Sequence, residues 1–228
     1  MAYAVNRVDD KRTLHLHRAA KPGKPVASFE QGERPVFSDD SRWLAVTIGK
    51  SPAELKKARR NDGKPAPSAG RKAKLRNLES GETSEFSNVK GMSFSADGKF
   101  LALEVLAPGA ARPSGPPKPG TPPPKPDRSP QSALVIRHLA DGTDVTFGNV
   151  ARHAWSDQGA LLALVIDSPG ISNSLQLFDP ASGVLRVLDS SEQEFVQLAW
   201  RRDSFDLAAQ REIAHAEKED VSHVLLAW

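Results

Sequence analysis

Apolar positions in this chain come in short runs broken by polar turns, and within the runs the alternation has a period near two rather than 3.6. Four segments repeat the pattern without gaps: Phe37-Ser-Asp-Asp-Ser-Arg-Trp-Leu-Ala45, Phe94-Ser-Ala-Asp-Gly-Lys-Phe-Leu-Ala102, Trp155-Ser-Asp-Gln-Gly-Ala-Leu-Leu-Ala163 and Trp200-Arg-Arg-Asp-Ser-Phe-Asp-Leu-Ala208. Each opens on an aromatic residue, passes a polar turn and ends on Leu-Ala inside an apolar run. Asp97-Gly98 is a hairpin signal, because a two-residue primed turn needs positive φ. Each segment therefore predicts strand, tight turn, strand. A second hairpin follows three of them, as in Leu75-Arg-Asn-Leu78 to Phe86, Leu134-Val-Ile-Arg137 to Phe147, and Leu175-Gln-Leu-Phe178 to Leu188.

The unit is thus four short strands, A to D in chain order. The aromatic anchors lie 57, 61 and 45 residues apart, and the last interval, without a long insert, is the bare unit. Four strands per 40 to 50 residues is the signature of a β-propeller blade. The expected fold is all-β, a propeller of four-stranded antiparallel blades, about five in number. The blades are placed at 31–88, 89–148 and 149–189, with partial blades at 1–30 and 190–228, in one propeller domain over 1–228. Ala2-Tyr-Ala-Val5 matches strand B, and Ser222 to Trp228 matches strand C. The terminal blades are therefore expected to be incomplete, as in a piece of a larger propeller. Roughly eighteen strands are expected, with Val5, Leu14, Leu16, Leu225 and Trp228 left bare, and a chain that is marginal or associates through its ends.

Charge changes this picture. The net charge of +3 conceals a basic stretch, residues 50–74, with nine Lys/Arg against two acids, and a second, residues 106–132, with four against one. The rest of the chain is acidic, at −7. The second segment also holds ten of the 18 prolines, which exclude helix and central strand and predict an extended polyproline-type excursion. Both inserts, 49–72 and 106–132, separate strand B from strand C. They are expected on the same face of the disc, opposite the short acidic A–B and C–D turns. Insertions confined to one face of a repeat array mark its working face.

Candidate chemistry is sparse. No cysteine is present, which excludes disulfides, thiol catalysis and Cys-based zinc sites. No apolar run is long enough for a membrane helix, and no signal peptide is visible in this chain; the compartment stays open. Gly91-Met-Ser93-Phe-Ser95 fails the nucleophile-elbow pattern at its last position and lies in a strand. Ser87-Asn-Val-Lys90 has no helix to align its serine and lysine. His15 and His17 share one side of a strand but gain no third ligand; His138, His153, His215 and His223 are scattered. Asp40, Asp97 and Asp203 recur at equivalent turns, which is turn chemistry. Phe37, Phe94, Trp155 and Trp200 recur at equivalent strand positions, which is core packing. No catalytic, cofactor-binding or metal site is assigned. The binding candidates are Lys56, Lys57, Arg59 and Arg60, on a helix expected to start at Ser51 as N-cap with Pro52 at its first position and Glu54 closing a capping box. No aromatic residue interleaves with these cations, so nucleic acid is not an expected partner.

The Phe94-Ser-Ala-Asp-Gly repeat and its relatives, with Asn77-Leu-Glu-Ser-Gly81 and Phe178-Asp-Pro-Ala-Ser-Gly183, resemble the repeat of TolB-like propellers. The insert beginning Ser51-Pro-Ala-Glu resembles that of the propeller of bacterial serine peptidases of the prolyl oligopeptidase family. The resemblance implies a non-catalytic domain that accompanies an α/β-hydrolase and restricts access of large substrates. The hydrolase part has no counterpart in this chain, so no catalytic residue carries over and no enzyme activity is expected of the chain alone. The implied partner is an α/β-hydrolase peptidase domain. The alternative is a free-standing propeller that binds another protein through its B–C loop face.

Overall fold

The computed structural model of the chain describes residues 2–8, 11–20, 23–54, 70–106, 132–168, 172–213 and 222–228. The chain divides into two compact units, Met1–Phe37 with Ser41–Lys90, and Ser38–Asp40 with Gly91–Trp228.

In the first unit β1 (Ala2–Val8), β2 (Lys11–His17) and β3 (Ala27–Glu30) form a three-stranded antiparallel meander. Next come β4 (Gly32–Phe37), β5 (Trp43–Ile48), β6 (Arg71–Asn77) and the first part of β7 (Thr83–Phe94). In the second unit the end of β7 leads into β8 (Phe100–Leu106), β9 (Ser132–His138) and β10 (Asp144–Phe147). A complete four-stranded meander follows, β11 (Val150–Trp155), β12 (Leu162–Ile166), β13 (Asn173–Asp179) and β14 (Val184–Ser191). The last sheet has three strands, β15 (Phe195–Trp200), β16 (Leu207–Ile213) and β17 (Ser222–Ala227). These are propeller blades, four-stranded inside the repeat and three-stranded at each end. Seventeen strands are described because strand D of one blade and strand A of the next merge in β7.

The Leu-Ala signature has a packing cause. Strand B lies mid-blade and is buried on both faces, as the runs Leu44-Ala45-Val46, Leu101-Ala102-Leu103 and Leu162-Ala163-Leu164 show. In β12, Leu162 and Leu164 face the preceding blade's Phe100, Leu134 and Ile136, while Ala163 and Val165 face the following blade's Phe195, Leu207 and Ala209. The small alanine admits the close approach of the next sheet, so a larger side chain there would overpack the junction.

Burial corrects one expectation. Leu14 and Leu16 are fully buried, packed with Phe29, Leu44, Val46 and Leu78, because the face of β2 that carries them meets strand B of the following blade. Leu225 and Trp228 are exposed, at 68% and 39%. The side chain of Val5 lies outside the described residues.

Two local devices repeat with the blades. The crossover from strand D to strand A passes through Gln31, Asn88 and Asn149, each in the left-handed region at φ 56°, 59° and 56°. Asparagine tolerates that region and glutamine does so at a cost. The C–D turns end on Gly81, Gly142 and Gly183, whose amides donate to the carbonyls of Asn77, His138 and Asp179 at 3.0, 2.9 and 2.8 Å. All three glycines have φ between 72° and 79°.

Candidate functional site

In each blade the side that carries the B–C loop is built from the end of strand B, the start of strand C and the crossover. Three of these loops leave strand B at an anchored residue. Gly49 donates its amide to the carbonyl of Gln31 at 2.8 Å, Asp167 to Asn149 at 2.9 Å and Glu212 to Glu194 at 2.9 Å, in each case eighteen residues back. The same bond recurs because strands A and B of each blade are antiparallel with equal lengths between crossover and loop.

At the first loop a charge cluster adds to this. The Glu33 carboxylate on β4 accepts from Arg12 of β2 at 2.5 Å and from Arg71 of β6 at 3.0 Å. Arg71 is the residue at which the chain returns from the 49–70 insert, and Gly49 is where it departs. A side chain at Gly49 would begin 2.9 Å from the same Glu33 carboxylate, which would have to give way to it. Glu33 thus ties the returning root of the loop to the neighbouring blade, beside the departing root at Gly49. Thr47 reinforces the strand by donating to the Glu33 carbonyl at 2.8 Å. In the second unit Arg211 of β16 and Asp189 of β14 form another inter-blade pair at 2.6 Å, between different strand positions.

The insert begins as the spacing predicts. Ser51 Oγ caps the amide of Glu54 at 3.3 Å, and the Glu54 carboxylate accepts from the Ser51 amide at 2.8 Å, over a helical turn at 52–54. The Ser51 amide and then its hydroxyl, at 2.9 Å, both donate to the Glu54 carboxylate and hold it below its usual range. Lys56, Lys57, Arg59 and Arg60 lie outside the described residues, as does most of the proline-rich segment.

The opposite face has turns whose acids are engaged locally. Ser38 and Ser95, both buried, donate to Asp40 at 2.5 Å and Asp97 at 2.6 Å. The Asp141 carboxylate accepts from the Thr143 amide and hydroxyl at 2.9 and 2.8 Å and pairs with His138, which lowers its pKa from 3.8 to about 2. These carboxylates shape turns.

The structure brings together three residues that sequence spacing keeps apart. The His153 ring of β11 places Nε2 3.4 Å from Ser93 Oγ on β7 and Nδ1 3.5 Å from the Glu104 carboxylate on β8. The order is carboxylate, imidazole, hydroxyl. Both gaps exceed the ~2.6–3.2 Å reach of a working relay, and Ser93 lies in a regular strand, not on a strained turn. The contact sits beside an indole clasp between blades. Trp155 Nε1 donates to the Ser93 carbonyl at 3.3 Å, and one blade on, Trp200 Nε1 donates to the Ala154 carbonyl at 3.0 Å. The acceptor is each time the residue before the preceding blade's anchor. All four anchors are half-buried, Phe37, Trp155 and Trp200 packing against the buried clusters, and the two tryptophans also bond across blades. Sequence reading found the anchors but not this second role; the signal was Trp in place of Phe at the last two.

Ser87 and Lys90 are both exposed on β7, beside the left-handed Asn88, with no helix aligning them. His15 and His17 lie on the outer side of β2 with rings 6.4 Å apart, and His15 bonds to Ser28 at 2.8 Å. Among the described residues no group of three His, Cys, Asp or Glu could hold a metal, and no helix is long and apolar enough to cross a membrane.

A scan against protein-family models gives no match, and a search of curated proteins gives none. Solved structures do match. One is a eukaryotic initiation factor, at 14% identity and TM-score 0.50, covering 94% of this chain and 46% of that one. Another is the β-propeller domain of the trilobed protease from Pyrococcus furiosus, at 14% identity and TM-score 0.49, covering 86% and 54%. A third is an acylaminoacyl peptidase from Pyrococcus horikoshii, at 9% identity and TM-score 0.48, covering 94% and 34%. The chain thus spans about half or less of the length of each. At these identities the likeness is one of fold alone.

Proposed function

We propose that the chain is a non-catalytic propeller module that docks an α/β-hydrolase peptidase and limits the access of large substrates to it. The docking side is the B–C loop face, with Lys56, Lys57, Arg59 and Arg60 meeting an acidic surface of the partner. The observation that carries this reading is the Glu33 clamp. A long cationic loop is rooted on Arg12, Arg71 and Gly49 at one point of the blade face, so its charge is presented from a fixed base. A solubilising loop needs no such anchorage. The mechanism is steric and electrostatic, and the chain's own residues carry out no bond-breaking step.

The test uses the immobilised chain and an extract of its native cells in which serine hydrolases have been labelled with a fluorophosphonate. The chain retains a labelled hydrolase, and raising salt releases it, as exposed charge pairs require. The variant Lys56→Glu, Lys57→Glu, Arg59→Glu, Arg60→Glu loses it. Equal retention by the variant, or no labelled hydrolase on the wild-type chain, contradicts the proposal.

A further inference from the structure

Within the second unit, the junction between the blade that ends in β10 and the blade that ends in β14 is open along its outer rim. Both blades have all four strands. The floor of the junction is apolar, with Phe147 of β10 edge-on to Phe178 of β13 at 4.9 Å between ring centroids. Val145 stands opposite Ile136 and Leu185 opposite Phe178, so both lie on the sides of their sheets that pack into this junction. Val187, two residues on, shares that side with Leu185. These three are 46%, 44% and 60% exposed. At the turn end a cleft of about 290 Å³ lies between Ile136 and Val145 on one blade and Pro180 and Ala181 on the other. That is small for a cofactor and has room for one large apolar side chain.

β14 also presents open backbone. Gly183 donates to the Asp179 carbonyl at 2.8 Å, the bond of a glycine bulge, which makes Asp179 and Val184 a bonded pair. Alternation then turns the amide and carbonyl of Arg186 towards β13 and those of Leu185 and Val187 away from it. The open groups thus belong to the same two residues whose side chains face the junction. The register shift opposite Leu175/Gln176 ends this stretch just past Val187 and confines an added strand to a few residues.

These features select the occupant. Open amides and carbonyls two residues apart match an extended backbone. The two basic side chains lining the cleft, Lys99 and His138, are paired with Asp97 at 3.5 Å and Asp141 at 2.9 Å, so the site calls for no charge. A second copy of β14 fits poorly, because an axis at Arg186 would set that guanidinium against its own copy. We infer that a short, extended, uncharged segment of a partner protein adds antiparallel to β14 as a fifth strand. Its apolar side chains, at alternate positions, lie against Leu185 and Val187 and enter the cleft beside Val145. Backbone bonds supply affinity and the alternate pockets supply specificity. The groove uses none of the B–C loop cations and stands independently of the docking proposal above.

The probe is a capped, fluorescein-labelled heptapeptide, Thr-Leu-Thr-Leu-Thr-Leu-Thr, titrated with the 228-residue chain and followed by polarisation. Saturable binding is expected, with hydrogen exchange at the Leu185 and Val187 amides slowed by at least about tenfold. The Arg186 amide, already in the ladder, is unchanged. Val187→Pro removes an outward amide, leaves the β13 ladder whole and abolishes binding. Val145→Asp, at an exposed position, weakens it by at least about tenfold. Two altered peptides leave the protein untouched: one N-methylated on the amides that would face β14, and one of threonine and serine alone. Neither is expected to bind. No binding of the leucine peptide, equal binding of either altered peptide, or binding that survives both Val187→Pro and Val145→Asp overturns the inference. Slow exchange at Leu185 and Val187 that appears without peptide as the chain dimerises assigns the edge to a second copy and also overturns it.

Discussion

At the residue scale, much of the blade junction is held by single polar contacts set into apolar packing. Trp200 packs against the cluster of Leu175, Phe195 and Leu207 and donates its indole N–H to Ala154. Trp200→Phe keeps an aromatic ring but leaves that carbonyl without its donor, at a cost of about 1–3 kcal/mol. For a domain of this size each kcal/mol lowers the melting midpoint by about 2–4 °C, which a thermal melt reads directly. An unchanged midpoint removes the clasp from the account. Asp141 gives a pH-dependent counterpart. Its folded pKa of about 2 lies below its ordinary 3.8, so its stabilising contribution is complete above pH 3.8 and fades as pH falls towards 2. The Thr143 amide, which bonds to this carboxylate, reports the titration by NMR. A midpoint near 2 is expected, and one near 3.8 means that the turn does not hold the charge.

At the scale of elements, the repeat was readable because its chemistry is local. Phe94 to Ala102 reads as a hairpin from its own turn residues, and the alternation of β9 and β13 follows from one buried face. What was not readable depends on neighbouring blades. Leu14 and Leu16 look bare when strand phase alone is counted, yet the next blade covers them. Ser93, Glu104 and His153 meet only because two sheets pack, and nothing in their spacing announces it. The crossovers are an intermediate case. Asn88 and Asn149 carry the usual signal for a left-handed residue, and Gln31 at the equivalent position carries none. Gln31→Gly is expected to stabilise the chain by about 0.5–1 kcal/mol, since glycine occupies that region without a Cβ clash. Gly142→Ala tests the C–D turn in the opposite direction. No atom lies within 4 Å of the added methyl, so the loss, about 1 kcal/mol, reports backbone strain alone. The proline-rich insert is judged by its roots. Leu106 and Ser132 are direct partners in the β8–β9 ladder, so the hairpin closes without residues 107–131. Replacing them with a short Gly/Ser linker should move the midpoint by less than about 5 °C; a larger fall shows that the segment packs.

At the scale of the whole molecule, the proposed reading is of a scaffold. Buried Ser38, Ser95 and Ser156 close turns, the Arg12–Glu33 and Arg211–Asp189 pairs join blades, and Phe37, Trp155 and Trp200 pack half-buried against the core clusters. If the chain is the non-catalytic module proposed above, it does no chemistry of its own, and the Ser93–His153–Glu104 contact is where an exception would lie. Incubating the purified chain with a fluorophosphonate tests it most directly. No covalent label is expected, because the serine sits in a regular strand with its imidazole at 3.4 Å and its carboxylate a further 3.5 Å away. Specific labelling that Ser93→Ala or His153→Ala abolishes would contradict it.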